Sequence, residues 1–152
     1  MGLPGYVTGL TAVYGEPTQK LVGNAVFHTV LKPKDNLNDA ALGKCKFFLG
    51  KWWTEDFQKS WKLIYKRPVN ATRKIVSELE SLSNTHAQDI AYLITDNIDN
   101  PAAKPALAAA YDDPSTIDLT IHMVDNGEGI SGLVIAGRRT NGEATFLVFL
   151  TD

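Results

Sequence analysis

The last third of the chain alternates apolar and polar residues with a period of two. Successive side chains of a strand point to opposite faces, so this period is typical of a strand with one buried face. The apolar positions are Ile117, Leu119, Ile121 and Met123. Asn126-Gly127 and Asn141-Gly142 predict hairpin turns because Asn and Gly tolerate positive φ. We therefore predict a three-stranded antiparallel meander in this region.

The final strand of that meander is apolar on both faces. One face carries Ala144, Phe146, Val148 and Leu150, and the other carries Leu147 and Phe149. Such a strand is typically interior to its sheet, or its second face meets another layer or another subunit.

Apolar residues recur at helical spacing through the middle of the chain. The first predicted helix follows Thr54, a suitable N-cap, and ends at Pro68. Its apolar face consists of Phe57, Trp61, Ile64 and Tyr65. Thr85 and Gln88 match a capping box for a later helix. The same spacing predicts two more helices, one before and one after it.

The first half of the chain predicts strands. Leu21 to Leu31 and Lys44 to Leu49 are rich in residues that favour strands, and Gly50 ends the second segment. The first fifteen residues alternate Gly with small and apolar types. We interpret them as a short strand or an extended arm.

Strands and helices fall in separate runs, which favours an α+β fold over a parallel sheet. We predict a single domain, residues 1–152, with an antiparallel sheet that contains the C-terminal meander and with helices packed mainly on one face.

Length and composition indicate a soluble globular protein. The chain has 152 residues, of which 44% are hydrophobic and 21% charged, so it is long enough to bury a core. One cysteine cannot form an internal disulfide, which is consistent with a reducing compartment. No apolar run approaches the length of a membrane helix, and the N-terminus lacks a signal-peptide pattern. These features predict a cytoplasmic protein that does not enter a membrane.

The net charge of −2 conceals an asymmetry along the chain. Residues 1–75 contain twelve Lys or Arg and five Asp or Glu, whereas the remainder contains three and twelve. The two halves therefore carry +7 and −9. This separation predicts two electrostatic faces if the halves also separate in space; if they interleave, the charges neutralise each other.

Aromatic and basic residues are interleaved between positions 44 and 67, and this segment contains all three tryptophans. Trp52 and Trp53 are adjacent and cannot both point inward from one face, so at least one is expected to be exposed. Interfaces are enriched in such anchors. We predict a partner-binding surface formed by Lys51, Trp52, Trp53, Lys59 and Lys62. Alternatively, the aromatic residues form the core face of a helix and the lysines its solvated side.

Residues 125–129, with the sequence DNGEG, follow a predicted strand. They resemble the DxGxG box of the ATPase family that includes gyrase, MutL and the histidine kinases. The resemblance implies that Asp125 binds adenine and that Gly127 and Gly129 let the backbone approach the nucleotide. Asn84 resembles the family's Mg²⁺-holding Asn, although Ala87 stands where the family has Asp. About a dozen residues follow before the last strand, too few for the family's nucleotide lid. The alternative is a polar hairpin loop.

Other chemistry has little support in the sequence. Cys45 could pair with one of the scattered histidines, His28, His86 or His122, but a buried inert cysteine is the commoner arrangement. No cluster has metal-ligand spacing, so we predict neither a metal nor a cofactor. The helix that would enter a nucleic-acid groove, 85–97, has no Lys or Arg, which argues against nucleic-acid binding.

We therefore predict a small, non-catalytic protein of the inhibitor, immunity or adaptor type that binds a protein partner, of acidic character, through its Lys- and Trp-rich surface. Self-association into a homo-oligomer through the last strand or the aromatic segment stays open. The alternative is a small-molecule or nucleotide-binding protein, potentially an enzyme, that uses the Asp125–Gly129 loop or a pocket between sheet and helices.

Overall fold

A computed structural model describes residues 2–96 and 99–152. The described residues form six α-helices and five β-strands. In chain order these are α1 (Gly5–Tyr14), β1 (Gly23–Val30), α2 (Leu37–Leu49), a 3₁₀ turn (Gly50–Trp52), α3 (Glu55–Ser60), β2 (Lys62–Lys66), α4 (Ile75–Glu80), α5 (Thr85–Thr95), α6 (Ala103–Tyr111), β3 (Thr116–Asp125), β4 (Ser131–Arg139) and β5 (Glu143–Thr151). The predicted α+β class is confirmed.

All five strands form one antiparallel sheet in the order β1-β5-β4-β3-β2. The predicted meander β3-β4-β5 is confirmed and forms the centre of the sheet. Its second hairpin turn requires a glycine, since Gly142 has φ 91° and a Cβ there would lie 2.6 Å from the carbonyl oxygen of Leu31.

Helices cover both faces of the sheet. The face formed by Leu119, Leu133 and Leu147 packs against α1, α4, α5 and α6. The opposite face, with Val134 and Phe146, packs against α2 and α3. Four of the six helices thus lie on one side. The two apolar faces of β5 are explained because that strand is interior and both of its faces are covered.

The first fifteen residues do not form a strand or an extended arm, as predicted, but contain helix α1. Its buried residues Val7, Leu10 and Tyr14 fall at i, i+3 and i+7, which is one face of a helix. The four glycines among the first fifteen residues obscured this pattern.

The predicted strand over 44–49 is also wrong, because these residues form the end of α2. Ala41, Cys45, Phe48 and Leu49 are buried at helical spacing. The helix starts earlier than the run of aromatic residues suggests, since Asn36 caps it by accepting a hydrogen bond from the backbone N–H of Asp39 at 3.1 Å.

The helix predicted from Thr54 to Pro68 is half correct. Helix α3 ends at Ser60, and β2 follows immediately as an edge strand paired with β3. The apolar residues of this stretch match the helical period as well as the strand period of two. Pairing with β3 makes its second part a strand. A register shift between Leu63 and Tyr65, together with exposed Lys62 and Lys66 at the two ends, protects this edge from further pairing.

None of the described helices is long and apolar enough to cross a membrane.

Candidate functional site

A groove lies where the first turns of α5 approach the end of the sheet. It has a volume of about 670 Å³. Its lining residues come from α5, the β3–β4 turn and the ends of β4 and β5: His86, Asp89, Ile90, Tyr92, Leu93, Asp125, Gly127, Gly129, Ser131, Thr151 and Asp152. Three of the residues singled out in the sequence, Asp125, Gly127 and Gly129, therefore lie together here.

Sheet register aligns three of these residues in a row. Ser131 pairs with Asp125 of β3 on one side and with Thr151 of β5 on the other. Residues directly opposite each other share a face. Ser131 also lies two and four residues before Leu133 and Ile135, so this row lies on the face that α5 covers.

His86, the second residue of α5, reaches down to this row. Its Nε2 lies 3.0 Å from the Oγ of Ser131, within hydrogen-bond distance. The helix is held in place by Ala87, Ile90, Ala91 and Ile94, which are buried against the sheet. Ser131 is buried, whereas the His86 side chain is half-exposed, so the pair connects the groove floor to solvent.

Asp125 lies on the other side of the imidazole. Its Oδ2 is 3.9 Å from the Nδ1 of His86, an electrostatic contact longer than a hydrogen bond. Its Oδ1 accepts the backbone N–H of Gly127 at 2.6 Å, and its own backbone N–H donates to the Oγ of Ser60 at 2.8 Å. The first bond holds the carboxylate of Asp125, and the second holds its backbone.

The loop after Asp125 is organised by Asn126. The Oδ1 of this side chain accepts the backbone N–H groups of Glu128 and Ile130 at 2.8 and 3.0 Å. Gly127 and Gly129 have φ 75° and 101°, which glycine adopts without strain. The DNGEG segment is thus a hairpin turn that joins β3 directly to β4.

Asn84, which resembles a Mg²⁺ ligand in the sequence, has a structural role at the helix start. It is the N-cap of α5, and its Oδ1 accepts the backbone N–H of Ala87 at 2.9 Å. The predicted cap at Thr85 is therefore displaced by one residue, since Thr85 is already helical.

Carboxylates dominate the electrostatics of the groove. Asp89, Asp125 and Asp152 line it, whereas its described lining contains neither Lys nor Arg. The apolar part of the wall consists of Ile90, Leu93 and the ring of Tyr92, which is 58% exposed. This arrangement lacks the cations that phosphate groups need.

The pairing of His86 with Ser131 was not visible in the sequence, because 45 positions separate them. A periodicity argument could place Ser131 at the start of a strand and His86 near the start of a helix, but not show that the two elements meet. The antiparallel pairing of β4 and the packing of α5 bring them together.

The predicted Lys and Trp surface is only partly gathered in space. Trp52 lies in the 3₁₀ turn and is 37% exposed, with the Lys51 ammonium 4.9 Å from the centre of its ring. Trp53 instead packs against the core between the sheet and helices α2 and α3. It stacks on Phe57, with ring centroids 5.8 Å apart. Of the two adjacent tryptophans, Trp52 is therefore the more exposed one, and Lys51 lies beside it.

The two other lysines of the predicted surface lie on different elements. Lys59 of α3 forms an exposed ion pair with Glu55 at 3.5 Å. Lys62 is exposed at the start of β2.

Cys45 and the remaining histidines lie outside the groove. Burial raises the pKa of the Cys45 thiol to about 12, so this cysteine is a poor nucleophile. Burial lowers the pKa of His122 to about 4 and also lowers that of His28. The Nδ1 of His28 lies 3.0 Å from the hydroxyl oxygen of Thr145.

Within residues 2–96 and 99–152, no group of three or more His, Cys, Asp or Glu side chains could hold a metal ion. No family model, curated protein or solved structure matches the chain.

Proposed function

We propose that this protein binds a small carboxylic ester in the α5 groove and hydrolyses it, with Ser131 as the nucleophile and His86 as the general base. The observation that carries the proposal is the 3.0 Å contact between Ser131 Oγ and His86 Nε2, with the Asp125 carboxylate 3.9 Å from the other ring nitrogen. Serine needs such a base because its hydroxyl is a weak nucleophile.

Each residue has a defined role in the acylation step. The Oγ of Ser131 attacks the ester carbonyl carbon while its proton passes to Nε2 of His86. The C–O bond to the alcohol then breaks, and the imidazolium returns that proton to the leaving oxygen. Asp125 favours the tautomer with hydrogen on Nδ1 and stabilises the imidazolium through its charge.

Water completes the cycle. It attacks the acyl carbon, its proton passes to His86, and the bond between acyl carbon and Ser131 Oγ breaks as the serine recovers its proton. The products are one carboxylic acid and one alcohol, so the reaction consumes one water and needs no oxidant or cofactor.

The groove suits a small ligand in size and lining. Its volume of about 670 Å³ is within the usual range for small-molecule sites. Ile90, Leu93 and Tyr92 provide an apolar wall for an acyl chain.

The test measures hydrolysis of p-nitrophenyl acetate and labelling by a fluorophosphonate. Ser131→Ala should reduce ester hydrolysis to background, and His86→Ala should reduce kcat about 10²–10⁴-fold. Mass spectrometry should locate the fluorophosphonate adduct on Ser131. Ser83→Ala, at an exposed serine just before α5, is the matched control and should retain full activity. Labelling elsewhere, or equal activity of Ser131→Ala and the unchanged protein, would overturn the proposal.

A second candidate function is protein binding through Lys51 and Trp52. The other residues of the predicted surface, Trp53, Lys59 and Lys62, would make secondary contacts. The specific observation in its favour is the exposed Trp52 ring beneath the Lys51 ammonium. Exposed tryptophan with a neighbouring cation is typical of binding hot spots. The partner that fits is an acidic protein segment with apolar residues, and this function does not require the groove.

A fluorescently labelled synthetic peptide of alternating Glu and Leu tests this surface, with the anisotropy of the label as the readout. Trp52→Ala and Lys51→Ala should each weaken the Kd at least about tenfold, as hot-spot residues do. Lys34→Ala changes an exposed lysine of another loop and should leave the Kd unchanged. Equal affinity of all three variants would exclude this function.

We also propose a cytoplasmic location. Self-association into a homo-oligomer stays a prediction. The location rests on the single buried cysteine, which forms no internal disulfide. Fractionation of cells that express the tagged chain tests the location, and sedimentation at several concentrations tests self-association. Recovery in a secreted fraction would refute the location.

A further inference from the structure

We infer that the α5 groove selects esters whose acyl chain ends in a cationic group, and discriminates against anionic ones. This inference rests on the proposed esterase function and adds the substrate class. It follows from the carboxylates that line the same groove as Ser131 and from the aromatic side chain of Tyr92 in that lining.

Two exposed carboxylates line the groove of Ser131 from different elements. Asp89 lies three residues after His86 on α5, so both side chains are on the same helix surface. Asp152 follows Thr151, the cross-strand neighbour of Ser131. Both carboxylates are exposed and line the groove, so they are available to a bound ligand.

Tyr92 adds a second kind of cation contact. Its ring lines the groove and is 58% exposed. The face of an aromatic ring attracts ammonium groups, and it does so without a formal charge. An acyl chain that lies along Ile90 and Leu93 and ends in an ammonium group would contact the apolar wall, Tyr92 and the carboxylates together.

The same arrangement disfavours nucleotides and other phosphate esters. Carboxylates disfavour a phosphate group, and the described groove lining contains neither Lys nor Arg to compensate. The hairpin turn at residues 125–129 therefore resembles an ATPase box in sequence, but it belongs to a groove that favours cations over anionic nucleotides.

The kinetic experiment compares p-nitrophenyl esters of three acids matched in length: 6-aminohexanoate, heptanoate and the half-ester of adipate. The value of kcat/KM should be highest for the cationic ester, about fivefold or more above the neutral one, and lowest for the anionic ester. This order should flatten in 1 M NaCl because salt screens exposed charges.

Variants assign the selectivity to its source. Asp89→Asn and Asp152→Asn should each reduce the ratio of kcat/KM for the cationic ester to kcat/KM for the neutral ester about twofold to fivefold. Asp39→Asn removes an exposed carboxylate of α2 and should leave the preference unchanged.

A binding measurement keeps the inference testable without turnover. In the Ser131→Ala protein, the ring signals of His86 and Tyr92 are followed by NMR with 6-aminohexanamide, heptanamide and adipamic acid. The cationic amide should bind tightest. Equal binding of the cationic and anionic amides would overturn this inference even if the esterase proposal stands. Selective binding by a protein that hydrolyses none of the three esters would instead overturn the esterase proposal alone.

Discussion

The indole of Trp61 stacks on the imidazole of His122, with ring centroids 4.6 Å apart and planes inclined by 9°. The histidine is completely buried, and neither ring nitrogen has a hydrogen-bond partner among the described residues. Burial disfavours the charged ring and lowers the pKa of His122 from 6.5 to about 4.

The free energy of unfolding should therefore decrease in mild acid because of this histidine. In the unfolded chain His122 binds a proton near pH 6.5, whereas in the folded protein it does so only near pH 4. The stability that neutral His122 contributes is fully present above pH 6.5. It is lost as the pH falls from 6.5 to about 4, and the total loss is about 3 kcal/mol. Urea unfolding at a series of pH values measures this loss.

The variant His122→Phe isolates the effect, because phenylalanine retains an aromatic ring beside Trp61 but cannot be protonated. Its stability should fall about 3 kcal/mol less than that of the unchanged protein between pH 6.5 and pH 4. His86→Ala, at a half-exposed histidine, serves as the control. Parallel stability curves for the unchanged protein and His122→Phe would contradict this explanation.

Arg67 forms the charged centre of a buried network. Its Nη2 lies 2.6 Å from Oε1 of Glu78 and 3.1 Å from Oδ1 of Asp112, and its Nη1 donates to the carbonyl of Tyr111 at 2.8 Å. Arg67→Ala would leave two carboxylates without their partner. We expect a loss of about 3–5 kcal/mol in the free energy of unfolding.

An exposed ion pair provides the comparison for that variant. Lys59 and Glu55 are 3.5 Å apart, with side chains that are 70% and 80% exposed. Lys59→Ala should cost less than about 1 kcal/mol in the same chemical denaturation experiment. A similar loss for both variants would show that burial does not govern the strength of the Arg67 network.

Gly142 and Gly127 separate backbone strain from steric clash. Both have positive φ, 91° and 75°. A Cβ at Gly142 would meet the Leu31 carbonyl oxygen at 2.6 Å, whereas one at Gly127 has no atom within 4 Å. Gly142→Ala should therefore destabilise more than Gly127→Ala, for which about 1 kcal/mol is expected from strain alone. Melting temperatures of the two variants give the comparison, and equal shifts would exclude a clash.

The local pattern of apolar residues and turns was sufficient to predict the C-terminal meander. Leu119 and Ile121 alternate with polar residues, and the two Asn-Gly turns end the strands, so side-chain period and turn chemistry agree. The sequence also indicated that both faces of β5 are covered, through Phe146 and Leu147. These features depend on neighbours along the chain, where sequence patterns act directly.

The tertiary structure decided the segments in which local patterns conflict. Lys62 to Lys66 matches a helix and a strand equally, and pairing with β3 makes it a strand. Residues 44–49 are rich in strand formers, yet burial of Cys45 and Phe48 on one side makes them helical.

The candidate site depends on long-range packing in the same way. Asp125, Gly127 and Gly129 stood out in the sequence because a turn is a local feature. Ser131 and His86 did not, since their 3.0 Å contact arises when α5 packs over the end of the sheet. The sequence by itself thus determined the C-terminal strands and their turns, while the fold decided which side chains meet, because residues far apart along the chain become neighbours only through packing.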